Sequence, residues 1–189
     1  QAWLLDQVFD LAAERGIYLE LCLLNHGAFS TSTNPEWDDN PYNVANGGML
    51  EAPGAFVTDA RAIVLFQQRL RYIAGRWGYS PNLFAWEWWN EVSLTPIGDD
   101  TLKPWIQAMT AEVNRHDPNA HLFSNSYASG GFTRIWREPE MDFAQVHDYS
   151  GADPVAIFPE YLETVLRNTG GEPKPALLAE HGSLAGGAD

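Results

Sequence analysis

Residues 83–91 of this chain read LFAWEWWNE, and that stretch leaves few folds open. Its apolar and aromatic side chains run on without polar alternation through Trp86, Trp88 and Trp89. A strand of this composition must be buried on both faces, as in a parallel sheet covered by helices. The run then stops abruptly at Asn90 and Glu91. An amide and a carboxylate at the C-terminal end of a buried strand place polar chemistry on the rim where α/β proteins bind ligands. A second stretch, PALLAEHG at 175–182, repeats the arrangement and stops at Glu180.

The rest of the chain alternates around these two strands. Residues 2–15 carry Leu4, Leu5, Val8, Phe9, Leu11 and Ala12 at helical spacing, and Gly16 stops the helix. Strands are expected at roughly 17–24, 83–89, 121–125, 143–147 and 176–180. Helices are expected from Thr58 or Asp59 to Trp77, over 101–116, briefly near 132–137, and over 154–168. Alternating strands and helices imply a parallel sheet with right-handed crossovers. Residues 27–58 are rich in Pro, Gly, Asn and Asp and form one long loop on the same rim. Its aromatic residues Phe29, Trp37, Tyr42 and Phe56 argue for an ordered, packed loop. Trp37 and Tyr42 are placed either to stack on a ligand or to pin the loop down.

Composition removes several classes of partner. A net charge of −14 with only 11 Lys and Arg argues against nucleic acid and anionic membrane surfaces. No apolar run is long enough to span a bilayer. The single cysteine, Cys22, excludes an intrachain disulfide and reads as a small buried hydrophobe. The sequence has no G-x-G-x-x-G, no phosphate-cradling P-loop, no G-x-S-x-G, no H-E-x-x-H and no paired C-x-x-C. With no nucleotide fingerprint and polar residues at every strand end, a barrel is favoured over an open doubly wound sheet.

Those ends read Asn25-His26, Asn90-Glu91, Asn125-Ser126-Tyr127, His147-Asp148-Tyr149 and Glu180-His181. Two glutamates ringed by amide, imidazole and phenol groups suit glycoside cleavage. That reaction needs an acid to protonate the leaving oxygen and a second carboxylate at the anomeric carbon. Trp88 or Trp89 would desolvate the acid, and His147 and Tyr149 would hydrogen-bond the nucleophile. Glu87, inside the strand, reads as a buried structural partner, with an arginine as its natural counterion. His116 and His121 read as structural. Glu36, Asp38 and Asp39 read as a solvated loop, because no calcium-loop pattern surrounds them.

The pattern resembles glycoside hydrolase clan A, the (β/α)8-barrel retaining glycosidases, and is most similar to the family 5 cellulase and mannanase-like enzymes. The Asn90-Glu91 pair resembles the clan's fourth-strand motif. The resemblance implies Glu91 as general acid/base and Asn90 as the ligand of the sugar 2-hydroxyl. Glu180 matches the seventh-strand nucleophile, His147 and Tyr149 the sixth-strand His-x-Tyr, and His26 the histidine that ends the third strand. NPYNVANGG and RYIAGRWGYSPNLFAWEWWNEV also resemble a bacterial branch of cellulase-like hydrolases. By this mapping the chain holds strands three to seven of an incomplete (β/α)8 TIM barrel. It would then be a single catalytic domain over 1–189, a fragment lacking the first two strands and the last.

The expectation is a retaining β-glycosidase acting on a polysaccharide or oligosaccharide by double displacement. Catalysis would rest on Glu91 and Glu180, and substrate binding on His26, Trp37, Asn90, His147 and Tyr149. No metal or organic cofactor is expected, the partner is a carbohydrate, and secretion follows from the substrate class and the acidity. The alternatives are a carbohydrate-binding barrel without catalysis, an inactive fragment, and a metal-dependent hydrolase built on His26, His147 and the carboxylates.

Overall fold

The computed structural model describes residues 2–128, 133–170 and 174–182. Helix α1 (Ala2–Arg15) leads into strand β1 (Leu19–Cys22), then α2 (Ala60–Trp77), β2 (Leu83–Glu87) and α3 (Asp99–Val113). Strands β3 (Leu122–Ser124) and β4 (Ser126–Tyr127), β5 (Ala144–Asp148), helix α4 (Pro154–Asn168) and β6 (Ala176–His181) complete the order. The strands pair in parallel as β1-β2-β3 and β4-β5-β6. Only Asn125 separates β3 from β4, so the two ladders are halves of one curved wall. Trp88 N–H donates to Ser124 O at 2.9 Å, and Ser126 N–H to Trp89 O at 3.2 Å, which carries the pairing past the break. The wall is an arc of a (β/α)8 barrel.

The helices form where their ends are capped and one face is apolar. The Asp59 side chain accepts from the N–H groups of Arg61 and Ala62 and starts α2, which buries Phe66, Leu70, Ile73 and Trp77. Asp153 caps α4 in the same way, with Pro154 as its first residue. Helix α3 begins two residues earlier than the sequence signals, because Asp99 and Asp100 occupy its first turn, where the helix dipole favours negative charge. The short helix expected near 132–137 is a single 3₁₀ turn, Ile135–Arg137. The glycine turn at 129–131 and the segment after Gly182 lie outside the described residues.

The tryptophans build the layer between wall and helices. Trp88 stacks on Phe123 with ring centroids 5.3 Å apart. Trp89 meets Phe29, Phe56 and Trp105 at 4.7, 5.8 and 5.9 Å. A fully buried tryptophan removes roughly 200 Å² from water, about 5 kcal/mol of transfer free energy. Trp86 Nε1–H donates to Asp117 Oδ2 at 2.9 Å, which ties β2 to the turn after α3. Asp117 also accepts from His121 Nδ1 at 2.8 Å, and the other His121 nitrogen lies 3.0 Å from Ser80 O. Burial pushes the Asp117 carboxyl up, but the Trp86 and His121 bonds hold it below the usual carboxylate range. His121 and His116, which pairs with Glu112, therefore have the structural roles expected.

The 27–58 loop is ordered around four short 3₁₀ turns. Asn40 Nδ2 donates to Ala28 O at 2.6 Å and Asn43 Nδ2 to Trp37 O at 3.0 Å. At Gly48 an added Cβ would collide with the Tyr42 carbonyl, so only glycine lets the loop close there.

Two expectations fail on the wall itself. Cys22 is exposed rather than buried, because β1 pairs with β2 alone and no other described strand covers its second edge. Its thiol donates to Leu24 O at 3.1 Å. Glu87 is buried as expected, but no arginine meets it among the described residues. Burial raises its pKa, which bonds from Ser126 and Cys22 only partly offset, and Oε1 has no hydrogen-bond partner. On the neighbouring strand Glu20 accepts from Gln145 Nε2 at 2.6 Å. Burial first, and the charge of Glu87 second, push Glu20 up to about 7.

Candidate active site

Just past the end of β2 the chain does something a strand does not. Glu91 adopts φ 52° and ψ 47°, the left-handed region that non-glycine residues enter at a cost of about 1–3 kcal/mol. Its neighbours fix that geometry. Asn90 N–H donates to Leu24 O at 2.8 Å, and Glu91 N–H donates to Ser126 Oγ at 3.0 Å. Ser126 is thus a positioning residue to which the sequence assigned no role. Only its place one step beyond the β3 register, beside β2, points to it.

Glu180 arrives from β6, in register with His147 of β5, at an irregularity in the β5-β6 ladder between Val146 and His147. Asn90 Nδ2 donates to Glu180 Oε1 at 3.1 Å, and the Tyr149 hydroxyl donates to Glu180 Oε2. His147 Nδ1 lies 3.0 Å from Glu91 Oε1 and 3.5 Å from Glu180 Oε2, so one imidazole nitrogen bridges the two carboxylates. His26 Nδ1 lies 3.4 Å from Glu91 Oε2. A carboxylate oxygen from each of Glu91 and Glu180 and a ring nitrogen of His147 all lie within 4.8 Å of one another. The Glu180 bond first, then burial, push the Tyr149 phenol up to about 12.

Access is unequal. The His147 side chain is 1% exposed, Glu91 13% and Glu180 40%. One carboxylate is therefore recessed and the other faces the open rim. Two donors, the Asn90 amide and the Tyr149 hydroxyl, converge on Glu180, and these bonds orient the carboxylate and leave it little freedom. The Glu91, His147 and Glu180 atoms are near enough to gather a cation, but each is already engaged in this hydrogen-bond set.

The structure thus brings together Glu91, Glu180, Asn90, His147, Tyr149 and His26. It does not bring Trp37 with them as a stacking platform. Trp37 is 5% exposed and packs beside Phe29 at 6.3 Å, so its ring has no free face for a sugar. Its 3₁₀ turn buries it inside the loop, where it acts as a pin. Trp88 and Trp89 are fully buried, Trp88 stacked on Phe123 and Trp89 packed among Phe29, Phe56 and Trp105. Asn125 and Tyr127, read as rim groups, are buried as well, with the Tyr127 hydroxyl donating to Asp99 Oδ1 at 3.2 Å. Asp148, also at a strand end, is buried and hydrogen-bonded.

The chain is an arc of a (β/α)8 barrel with glutamates at two strand ends, and its likeness is to the barrel glycosidases of clan A, family 5. Among curated proteins it is similar to mannan endo-1,4-beta-mannosidase F of Aspergillus clavatus, 24% identical over 202 residues, covering 94% of this chain and 43% of that protein. It is also similar to mannan endo-1,4-beta-mannosidase A of Podospora anserina, 25% identical over 199 residues, covering 94% of this chain and 50% of that protein. Among solved structures, the endo-beta-1,4-mannanase from Thermotoga petrophila superposes with a TM-score of 0.66 at 21% identity, over 95% of this chain and 45% of that one. That likeness establishes the fold. The chain spans half or less of the length of these curated relatives. No family model matches the chain.

Proposed function

We propose that this chain carries the catalytic centre of a β-glycosidase that cleaves β-1,4-linked mannan with retention of configuration. The observation that carries the reading is the meeting of the Glu91 and Glu180 oxygens within 4.8 Å, with His147 between them. Retaining glycosidases hold their carboxyl groups about 5–5.5 Å apart, whereas inverting enzymes leave roughly 6.5–9.5 Å for a water. The mannan substrate is proposed from the curated relatives, which are mannan endo-1,4-beta-mannosidases.

In this mechanism Glu180 attacks the anomeric carbon as the glycosidic bond breaks, and recessed Glu91 gives its proton to the departing oxygen. Glu91 then takes a proton from water, the water oxygen bonds to the anomeric carbon, and Glu180 leaves as carboxylate. Asn90 and Tyr149 hold the nucleophile by its two oxygens, and His147 keeps the two carboxylates in one frame. The Asn90 amide also reaches the sugar 2-hydroxyl.

We further propose that the described arc is part of a longer barrel. Neither β1 nor β6 has a second strand partner among the described residues, and such open edges are not left bare in stable folds. Secretion is proposed with the substrate, since a polymer of this size is met outside the cell.

The test uses the full-length protein that contains this chain, with β-1,4-mannan and β-1,4-glucan supplied in parallel. Proton NMR of the first-formed reducing end reads the stereochemistry. A β-anomer from mannan, abolished by Glu180→Gln in a folded variant, supports the reading. An α-anomer, or undiminished turnover by the variant, overturns it. Sugar binding without product in both substrates would assign a binding barrel instead.

A further inference from the structure

Helix α4 contributes little to the core. Among its described side chains the buried one is Val165, while Val155, Leu162 and Leu166 are 80, 42 and 44% exposed. One of its residues nevertheless makes a specific inward bond. The Tyr161 hydroxyl donates to Asp148 Oδ1 at 2.8 Å. Asp148 is the last residue of β5, only 4% exposed, and immediately precedes Tyr149.

Asp148 is held on every side. Its Oδ2 accepts from the Ser150 hydroxyl at 2.8 Å, and its Oδ1 also accepts from Ser150 N–H at 3.3 Å. Its backbone carbonyl accepts from Gly182 N–H at 2.9 Å, two residues after Glu180. The Tyr149 ring rests on that glycine, where an added Cβ would meet Cδ1 at 3.4 Å and Cε1 at 3.5 Å. The carboxylate therefore ties Ser150, just beyond Tyr149, to Tyr161 of α4, and the backbone carbonyl of the same residue holds Gly182 beneath the tyrosine ring.

We propose that Asp148 and Tyr161 form a positioning clamp by which helix α4 holds the Tyr149 hydroxyl on Glu180. This inference rests on the catalytic reading of Glu180 but deepens it by assigning two residues outside the carboxylate cluster. The ionisable groups around the clamp agree. Bonds from Ser150 and then Tyr161 hold the Asp148 carboxyl low, against its burial, and the charge of His181 adds to this. Burial and the Asp148 bond push the Tyr161 phenol up to about 12, with the charges of Asp148 and Glu160 adding to it. Tyr149 itself faces Glu180 and Glu91, and His147 lies 3.5 Å from the Glu180 oxygen that Tyr149 bonds. At neutral pH both phenols are protonated donors.

The experiment labels tyrosine with ¹³C at Cζ and follows the Tyr149 resonance, assigned by its loss in Tyr149→Phe. In the unaltered protein Tyr149 is expected to stay protonated at pH 11, because the Glu180 bond and then burial push its phenol up to about 12. In Tyr161→Phe the clamp loses one arm, and Tyr149 is expected to ionise at lower pH, toward the ordinary value of 10.0. Ser150→Ala removes the second arm and should act in the same direction. Circular dichroism at the same pH records retention of the fold. If a variant unfolds there, the Tyr149 hydroxyl proton observed at pH 7 supplies the reading, and it should lose its downfield shift in Tyr161→Phe. An unmoved Tyr149 in both folded variants overturns the clamp. Because the readout needs no turnover, its failure is distinguishable from failure of the hydrolase proposal.

Discussion

Asn90 and Glu180 stand 90 residues apart in the chain and meet through a 3.1 Å hydrogen bond. That contact joins the strand carrying the proposed acid to the strand carrying the proposed nucleophile. Each side chain at the rim has its place through a partner on another strand.

Glu91 is the residue whose loss should separate binding from chemistry. Glu91→Ala is expected to lower kcat on mannan by about 10²–10⁴-fold, the usual contribution of a general acid/base, with KM changed far less. Steady-state kinetics on the full-length protein reads this, and a rise in KM with kcat unchanged would refute the role.

Much of this arrangement is legible in the sequence. An aromatic strand interrupted only by Glu87 that stops on an amide and a carboxylate specifies where the buried wall gives way to its polar rim, and the periodicity of α2 survives because Asp59 and Gly78 mark its ends. What the sequence leaves open depends on closure in three dimensions. Trp37 and Tyr42 carry the same chemistry in the same loop, but the fold of its 3₁₀ turns decides which face is covered. Glu87 looks like one half of an ion pair because an isolated strand shows the carboxylate and not the wall opposite. Ser126 and Tyr161 have no motif at all, and their roles arise from register and from helix docking.

Stability should depend on pH through the wall interior. Glu20 is pushed up to about 7 from 4.5, so the folded protein binds a proton there that the unfolded chain has released. The folded state then holds more protons between these values, and stability falls as pH rises from about 4.5 to about 7. Glu20→Gln should flatten that fall, raising the melting temperature at pH 8 and leaving it near that of the unaltered protein at pH 4. Thermal unfolding monitored across this range is the check, and a parallel shift at both pH values would contradict the assignment.

The Asp117 junction should be costly to remove. Its carboxylate serves Trp86 Nε1–H, the His121 ring and the His121 backbone N–H, all buried. Asp117→Ala strands these groups and should destabilise the fold by about 3–5 kcal/mol, as for other buried charged networks. Urea denaturation measures the loss, and a change under about 1 kcal/mol would show that water replaces the carboxylate.

Gly48→Ala tests whether the long loop is built or merely draped. The added methyl would collide with the Tyr42 carbonyl, a backbone group that cannot move without opening the turn. A destabilisation of about 2 kcal/mol or more is expected by the ordinary cost of overpacking. Proteolysis within 27–58 should quicken in parallel, and an unchanged cleavage rate would mean that the loop adapts.

The left-handed backbone of Glu91 carries a further consequence. Along an extended strand neighbouring side chains point to opposite faces, so two adjacent residues cannot ordinarily serve one pocket. Here the reversal at Glu91 cancels the alternation at the last step, and Asn90 reaches Glu180 while its immediate neighbour reaches His147 and His26. The pair behaves as a two-letter word whose order and spacing are fixed by a single twist. Inserting one residue between the letters would keep both functional groups in the chain and still send one of them to the wrong side of the wall.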